Sequence, residues 1–201
     1  MKLYYAPGTC SLSPHIALRE AELDFELVKT DNKTKKLPDG GDYRSVNPKG
    51  YVPCLELDNG ERLTEGPAIV QYIADQVPTK RLAPLAGTFE RYRLQEWLNY
   101  ITSELHKSYS PLFTPTTPED YKPVARERLA MRYELIEATL AKQPYLLPSG
   151  FSVADPYLFA VTNWALRVQL NLDPFQAVRA FQGRMRERPA VQAALKAEGL
   201  A

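Results

Sequence analysis

The feature that most restricts the fold is a change of pattern near residue 80. Before it, short apolar runs alternate with stretches of helical spacing; after it, the apolar residues follow a helical period. Met1 to Tyr5 is apolar and aromatic, ends at the turn signal Pro7-Gly8, and reads as a strand. Ser11 to Glu22 suits a helix, and Phe25 to Lys29 a second strand. Residues 33–44 are charged and glycine-bearing, which suits a loop with irregular helix. Val52 to Leu57 and Arg62 to Thr64 flank Asp58-Asn59-Gly60, a strong hairpin signal. Glu65 to Val77 carries Ala68, Ile69, Tyr72 and Ile73 at helical spacing. The order β-α-β, hairpin, α describes a compact α/β unit over residues 1–80. Pro84 and Gly87 mark 81–87 as a linker.

Residues 88–201 read as an all-α unit. A long helix over Phe89–Tyr109 is broken by the proline-rich stretch 111–118, and a second covers Glu119–Lys142. A third, Ser152–Leu170, is apolar nearly all round and belongs at the centre of a bundle. Two shorter helices near 174–186 and 189–197 close the chain.

Composition narrows the function. Lys and Arg number 25 against 24 Asp and Glu, so the chain lacks the basic footprint of a nucleic-acid or membrane-surface protein. A small-molecule or protein partner is expected instead. Cys10 and Cys54 are the only cysteines, which fits an intracellular protein better than a disulfide scaffold, although a bridge between them is open. With His15 and His106 they form no zinc-ligand spacing, and no resident metal is expected. No apolar run approaches a membrane span, and a cytoplasmic location is the expectation.

Four segments carry chemistry. Cys10 lies between the first strand and the first helix, where free N–H groups and the helix dipole favour an anion, so its thiol pKa is expected to fall. A bound thiol would be held equally well there. Ser11 is a candidate N-cap of that helix. A cis Val52-Pro53 bond would leave backbone groups facing outward for an extended peptide to pair with; an ordinary edge-strand proline fits equally. In Leu63-Thr64-Glu65-Gly66, Glu65 and the helix N-terminus behind it suit a ligand's amine and carboxylate, and helix capping by Thr64 suits the same pattern. Asn99, Ser103 and His106, at i, i+4 and i+7, fall on one polar stripe of the long helix, facing either a cleft or solvent. Cys54, inside an apolar run, reads as structural.

Taken together, YYAPGTCSLSPHIALRE, NPKGYVPCLELDNGERLTEGPAIVQYIADQ, EWLNYITSELHKSYSPLF and FSVADPYLFAVTNWA resemble the cytosolic glutathione S-transferases. PGTCS with LNYITSELHK resembles the bacterial beta class in particular. The resemblance implies a thioredoxin-like N-terminal domain that holds glutathione as co-substrate. It implies a helical-bundle C-terminal domain that supplies the pocket for a second substrate, a small apolar electrophile or a disulfide, and it implies a homodimer.

Carried over residue by residue, it places Cys10 beside the glutathione sulfur, Lys35 at a glutathione carboxylate, and Val52, before a cis Pro53, at the cysteinyl backbone. Glu65 and Gly66 fall at the γ-glutamyl end. Asn99, Ser103 and His106 reach in from the helices, and Glu104 serves the neighbouring subunit's site. Ser152 and Asp155 form the family's capping box, a folding element. Tyr5 and Ser11 stand where other classes carry a thiol-activating hydroxyl, and Pro156 is expected to perturb the capped helix locally. Tyr109, Phe113 and Trp164 are candidate walls of the apolar pocket. The implied activity is conjugation to apolar electrophiles, with thiol–disulfide or peroxidase chemistry through Cys10 at its side. A non-catalytic binding or regulatory module of the same fold is the alternative.

Overall fold

The computed structural model describes all 201 residues. Strands β1 (Lys2–Tyr5), β2 (Glu26–Lys29), β3 (Cys54–Glu56) and β4 (Arg62–Thr64) form one sheet in the order β2-β1-β3-β4. β1 runs parallel to β2 and antiparallel to β3, and β3 runs antiparallel to β4. The parallel pair is joined through α1 (Leu12–Glu20), and α2 (Gly66–Gln76) follows the hairpin. This is the thioredoxin-like arrangement.

Period-two alternation divides the strands between two cores. Leu3, Tyr5 and Leu55 face the helices, whereas Tyr4, Ala6 and Cys54 join Tyr43, Val46 and Val52 in a small cluster on the other face. Cys54 is fully buried there, and both cysteines are free thiols.

From Phe89 onward the chain is helical: α3 (Phe89–Tyr100), α4 (Lys107–Phe113), α5 (Tyr121–Leu140), α6 (Ala154–Thr162), α7 (Gln176–Arg186) and α8 (Pro189–Glu198). α6 is buried at every position and sits at the centre. α1 packs against α6 and α8, so the large core runs without a break from the sheet into the helices. No helix is long and apolar enough to cross a membrane.

Three features depart from the sequence reading. The long helix does not stop at Tyr109. A π-helical turn over Ile101–His106, with the Lys107 N–H bonded to the Thr102 carbonyl, joins α3 to α4, which runs to Phe113 with Pro111 inside it. The third helix ends at Thr162, well before Leu170. Its chain turns there so that the Trp164 indole donates to the Gly8 carbonyl at 2.9 Å, then forms a short 3-10 turn at Leu166–Val168. Pro156 causes no adjustment, because it is the third residue of α6, where its missing N–H would have had no partner inside the helix.

Ahead of α6, the Asp155 carboxylate accepts from the backbone N–H groups of Ser152 (2.7 Å) and Leu146 (2.9 Å) and from the Ser152 hydroxyl. Burial raises its pKa to about 6.

Candidate active site

A cleft of about 1050 Å³ opens between the sheet edge and the helices. The first half of the chain contributes Cys10, Lys35, Lys49, Val52, Pro53, Glu65 and Gly66. The second half contributes Thr102, His106, Lys107, Ser110, Phe113, Tyr157, Trp164 and Arg167.

Cys10 sits at the start of α1, half-buried, and its thiol donates to the Val52 carbonyl at 3.4 Å. The Val52-Pro53 bond is cis. Burial pushes the Cys10 thiol up to about 12, against the pull of its own and Ser11's backbone N–H groups. The expected fall in its pKa is therefore corrected for the ligand-free site. The helix N-terminus does address the sulfur, but loss of water outweighs it.

Ser11 does not cap α1 through its side chain. Its buried hydroxyl turns inward, to the Ala6 carbonyl at 3.2 Å and to Thr9 Oγ1 at 2.8 Å. Tyr5 is likewise buried, in the core behind the cleft. Neither hydroxyl lines the cleft.

Glu65 occupies the N-cap of α2 with φ of 69°, a conformation that a non-glycine residue adopts only where its surroundings impose it. Its carboxylate pairs with Lys49 at 2.6 Å, and Lys49 also donates to Thr64 Oγ1 at 2.7 Å. Thr64 is thus not the cap of α2. Lys35 has φ of 60° and places its ammonium 5.4 Å from the Tyr51 ring centroid.

On the helical side, His106 Nδ1 lies 2.8 Å from the Tyr157 hydroxyl, which also accepts from Thr102 Oγ1 at 3.3 Å. Burial, with help from the Lys107 charge, lowers the His106 pKa to about 4, so the imidazole is neutral at pH 7. The ring stands edge-on to Trp164 with centroids 4.8 Å apart. Trp164 also meets Phe113, and both line the cleft. Tyr109 does not line it. It is fully buried behind these rings and bonded to the Tyr133 hydroxyl at 2.8 Å.

The single polar stripe of Asn99, Ser103 and His106 does not exist. The π turn inserts one extra residue and swings everything after it by about 100°. Asn99 and Ser103 are exposed, with side chains bonded back to the Gln95 and Asn99 carbonyls, and neither borders the cleft. Glu104, also outside it, pairs with Arg132 at 2.7 Å. Thr102, His106, Ser110 and Phe113 share the cleft face instead. Lys49, Thr102, Lys107, Tyr157 and Arg167 escaped the sequence reading. Only Lys107, next to His106, had a signal in its position.

A mixed four-stranded sheet with a cis proline at β3 and a helical half lining the other side of the cleft is the architecture of the glutathione S-transferases, and the chain belongs to that family. Within it, the chain is of the bacterial beta class. Residues 8–76 match the glutathione S-transferase N-terminal domain and residues 85–189 the C-terminal domain. Glutathione S-transferase GstA of Escherichia coli O157:H7 is 50% identical over 200 residues, with all of both chains covered. Among solved structures, the ternary complex of BphK, a bacterial glutathione S-transferase, superposes with a TM-score of 0.97 at 60% identity over all of both chains. The bacterial beta class enzyme of Sphingomonas chungbukensis does so with 0.97 at 47%, again over all of both chains.

Proposed function

We propose that this protein conjugates glutathione to apolar electrophiles, with the glutathione thiolate as nucleophile. The observation that carries this reading is that one cleft holds a peptide-pairing edge, a helix start with its acid, and a buried imidazole. The cysteinyl unit of an extended glutathione pairs with the Val52 backbone as an added strand. Its γ-glutamyl ammonium meets Glu65, and its γ-glutamyl carboxylate meets the free N–H groups at Gly66. Lys35 takes the glycyl carboxylate.

The sulfur then falls beside Cys10, where the N–H groups at the start of α1 and the Lys107 charge favour an anion. His106, neutral at pH 7, is free to accept or relay the thiol proton. The electrophile lies against Phe113 and Trp164.

Cys10 gives the site a second chemistry. Its thiolate attacks glutathione disulfide, a new Cys10–glutathione S–S bond forms, and one glutathione thiolate leaves; a second thiol then resolves the mixed disulfide. The chain is proposed to work as a cytoplasmic homodimer in a detoxifying role. Asn99, Ser103 and Glu104, which face away from their own cleft, would then lie toward the partner.

The test is to incubate the protein with glutathione and with chlorodinitrobenzene, following thioether formation and the protein's mass. Conjugation at a rate above that of buffer supports the reading. A protein that neither binds immobilised glutathione nor forms the thioether sinks it and favours a non-catalytic module.

A further inference from the structure

We infer that Arg167 is a subsite for an acidic group on the second substrate, so that the preferred electrophiles are apolar molecules bearing a carboxylate. The inference rests on the transferase reading above and adds a substrate class to it.

Arg167 lies in the 3-10 turn Leu166–Val168, between α6 and α7, and it lines the cleft. The turn is fixed on two sides. Arg126 Nε donates to the Val168 carbonyl at 2.7 Å, and the Trp164 indole donates to the Gly8 carbonyl at 2.9 Å. The guanidinium lies against Gly8, two residues before Cys10. A Cβ on Gly8, whose φ is +68°, would stand 3.0 Å from Arg167 Nη2 and 3.6 Å from Cζ. A side chain at Gly8 would press on the guanidinium, and the left-handed φ there favours glycine in its own right. The acid buried in that corner, Glu198, is committed to the Gly8 N–H at 2.9 Å and to His15 at 2.8 Å. Arg167 therefore has no internal carboxylate to neutralise it.

Charge across the cleft leads to the same conclusion. Its lining carries Lys35, Lys49, Lys107 and Arg167 against Glu65 alone, and His106 is neutral. Glutathione bound as its thiolate brings two carboxylates, one thiolate and one ammonium. The filled cleft keeps one positive charge in excess. Lys35 and Lys49 stand with Glu65 at the glutathione end, and Lys107 bears on the sulfur. Arg167 remains, on the same half of the chain as Phe113 and Trp164. A planar guanidinium in a cleft that also holds apolar rings suits a carboxylate on an aromatic or unsaturated body, held by paired N–H donors.

The test compares chlorodinitrobenzoate with its neutral amide, for the wild type and for Arg167→Gln and Arg167→Lys. In R167Q the benzoate-to-amide ratio of kcat/KM is expected to fall roughly tenfold, with partial recovery in R167K. Binding is measured separately: unreactive dinitrobenzoate and dinitrobenzamide are titrated by tryptophan quenching into protein loaded with S-methylglutathione. Tighter binding of the benzoate, lost in R167Q, supports the subsite even if turnover fails and the transferase reading falls. An unchanged ratio with no benzoate preference in binding overturns it. So does a glutathione KM that rises in R167Q as much as the benzoate's, because the guanidinium would then serve glutathione.

Discussion

His106 Nδ1 and the Tyr157 hydroxyl, 51 residues apart in sequence, meet at 2.8 Å inside the cleft wall. This contact fixes the plane of the imidazole and couples its tautomer to the hydroxyl: a phenol that donates to Nδ1 leaves the ring proton on Nε2, and one that accepts leaves it on Nδ1. Tyr157→Phe is expected to lower kcat about tenfold with little change in the glutathione KM, an effect of orientation rather than binding. Thr102 keeps the Leu98 carbonyl at 2.8 Å, so the cost in stability should stay near ~1 kcal/mol. Nitrogen chemical shifts of His106 report the tautomer directly. Identical shifts in wild type and Y157F would refute the contact's role.

His106 also makes the fold sensitive to acid. Its folded pKa of about 4 lies below its ordinary 6.5, so between those values the unfolded chain binds more protons than the folded one. Stability from this group is present above pH 6.5 and is lost as pH falls toward 4, by up to about 3 kcal/mol. Asp155 acts with the opposite sign. Its pKa is raised from 3.8 to about 6, so its contribution favours folding as pH falls through that interval. Urea unfolding from pH 7 to pH 4 should therefore show a shallower acid loss in His106→Gln than in wild type. An unchanged profile would remove His106 as the cause.

Glu198 joins the end of the chain to its beginning. One carboxylate oxygen meets His15 and the other accepts the Gly8 N–H; His15 and Glu198 are buried, and Gly8 borders the cleft. Glu198→Ala leaves the buried His15 Nδ1 and the half-buried Gly8 amide without their acceptor, with Arg19 still bonded to the other ring nitrogen at 2.9 Å, and should cost about 2 kcal/mol in urea unfolding. Glu198→Gln keeps an acceptor and should cost less. Hydrogen exchange at the Gly8 amide should speed up in E198A before α1 is affected. Equal protection in both variants would count against the link.

Cys10 should be a slow thiol until a ligand arrives. With its pKa pushed up to about 12, alkylation by iodoacetamide in the ligand-free protein should climb with pH and reach no plateau near neutrality. A plateau between pH 6 and pH 8 would contradict this. Cys10→Ala should abolish reduction of a glutathione mixed disulfide while only weakening conjugation. Equal loss of both would argue against separate mechanisms.

The sheet and the bundle were legible because local signals agreed with the fold. Asp58-Asn59-Gly60 marked the hairpin, the apolar and aromatic run to Tyr5 marked β1, and the apolar run from Val153 marked α6. The site was legible in part. Cys10, Val52 and Glu65 stand at element ends, where sequence pattern locates backbone groups well. The polar stripe failed because periodicity assumes a constant number of residues per turn, and nothing in Ile101–His106 announces a wider one. The fall in the Cys10 pKa failed for another reason. A helix start is a local feature, whereas the burial that overrides it depends on packing from distant segments. Arg167 was invisible for the same cause, since only tertiary packing sets it against Gly8.

The π turn also gives one helix two independent outlooks. Asn99 before it and Ser103 in its first half look outward; His106 at its end, with Ser110 and Phe113 beyond, looks into the cleft. Each half can change its residues to suit its own surroundings without altering the phase of the other. The turn works as a coupling between two offset shafts. Excising a single residue within it would realign them, carrying His106 off the substrates with every cleft side chain of the first domain left intact.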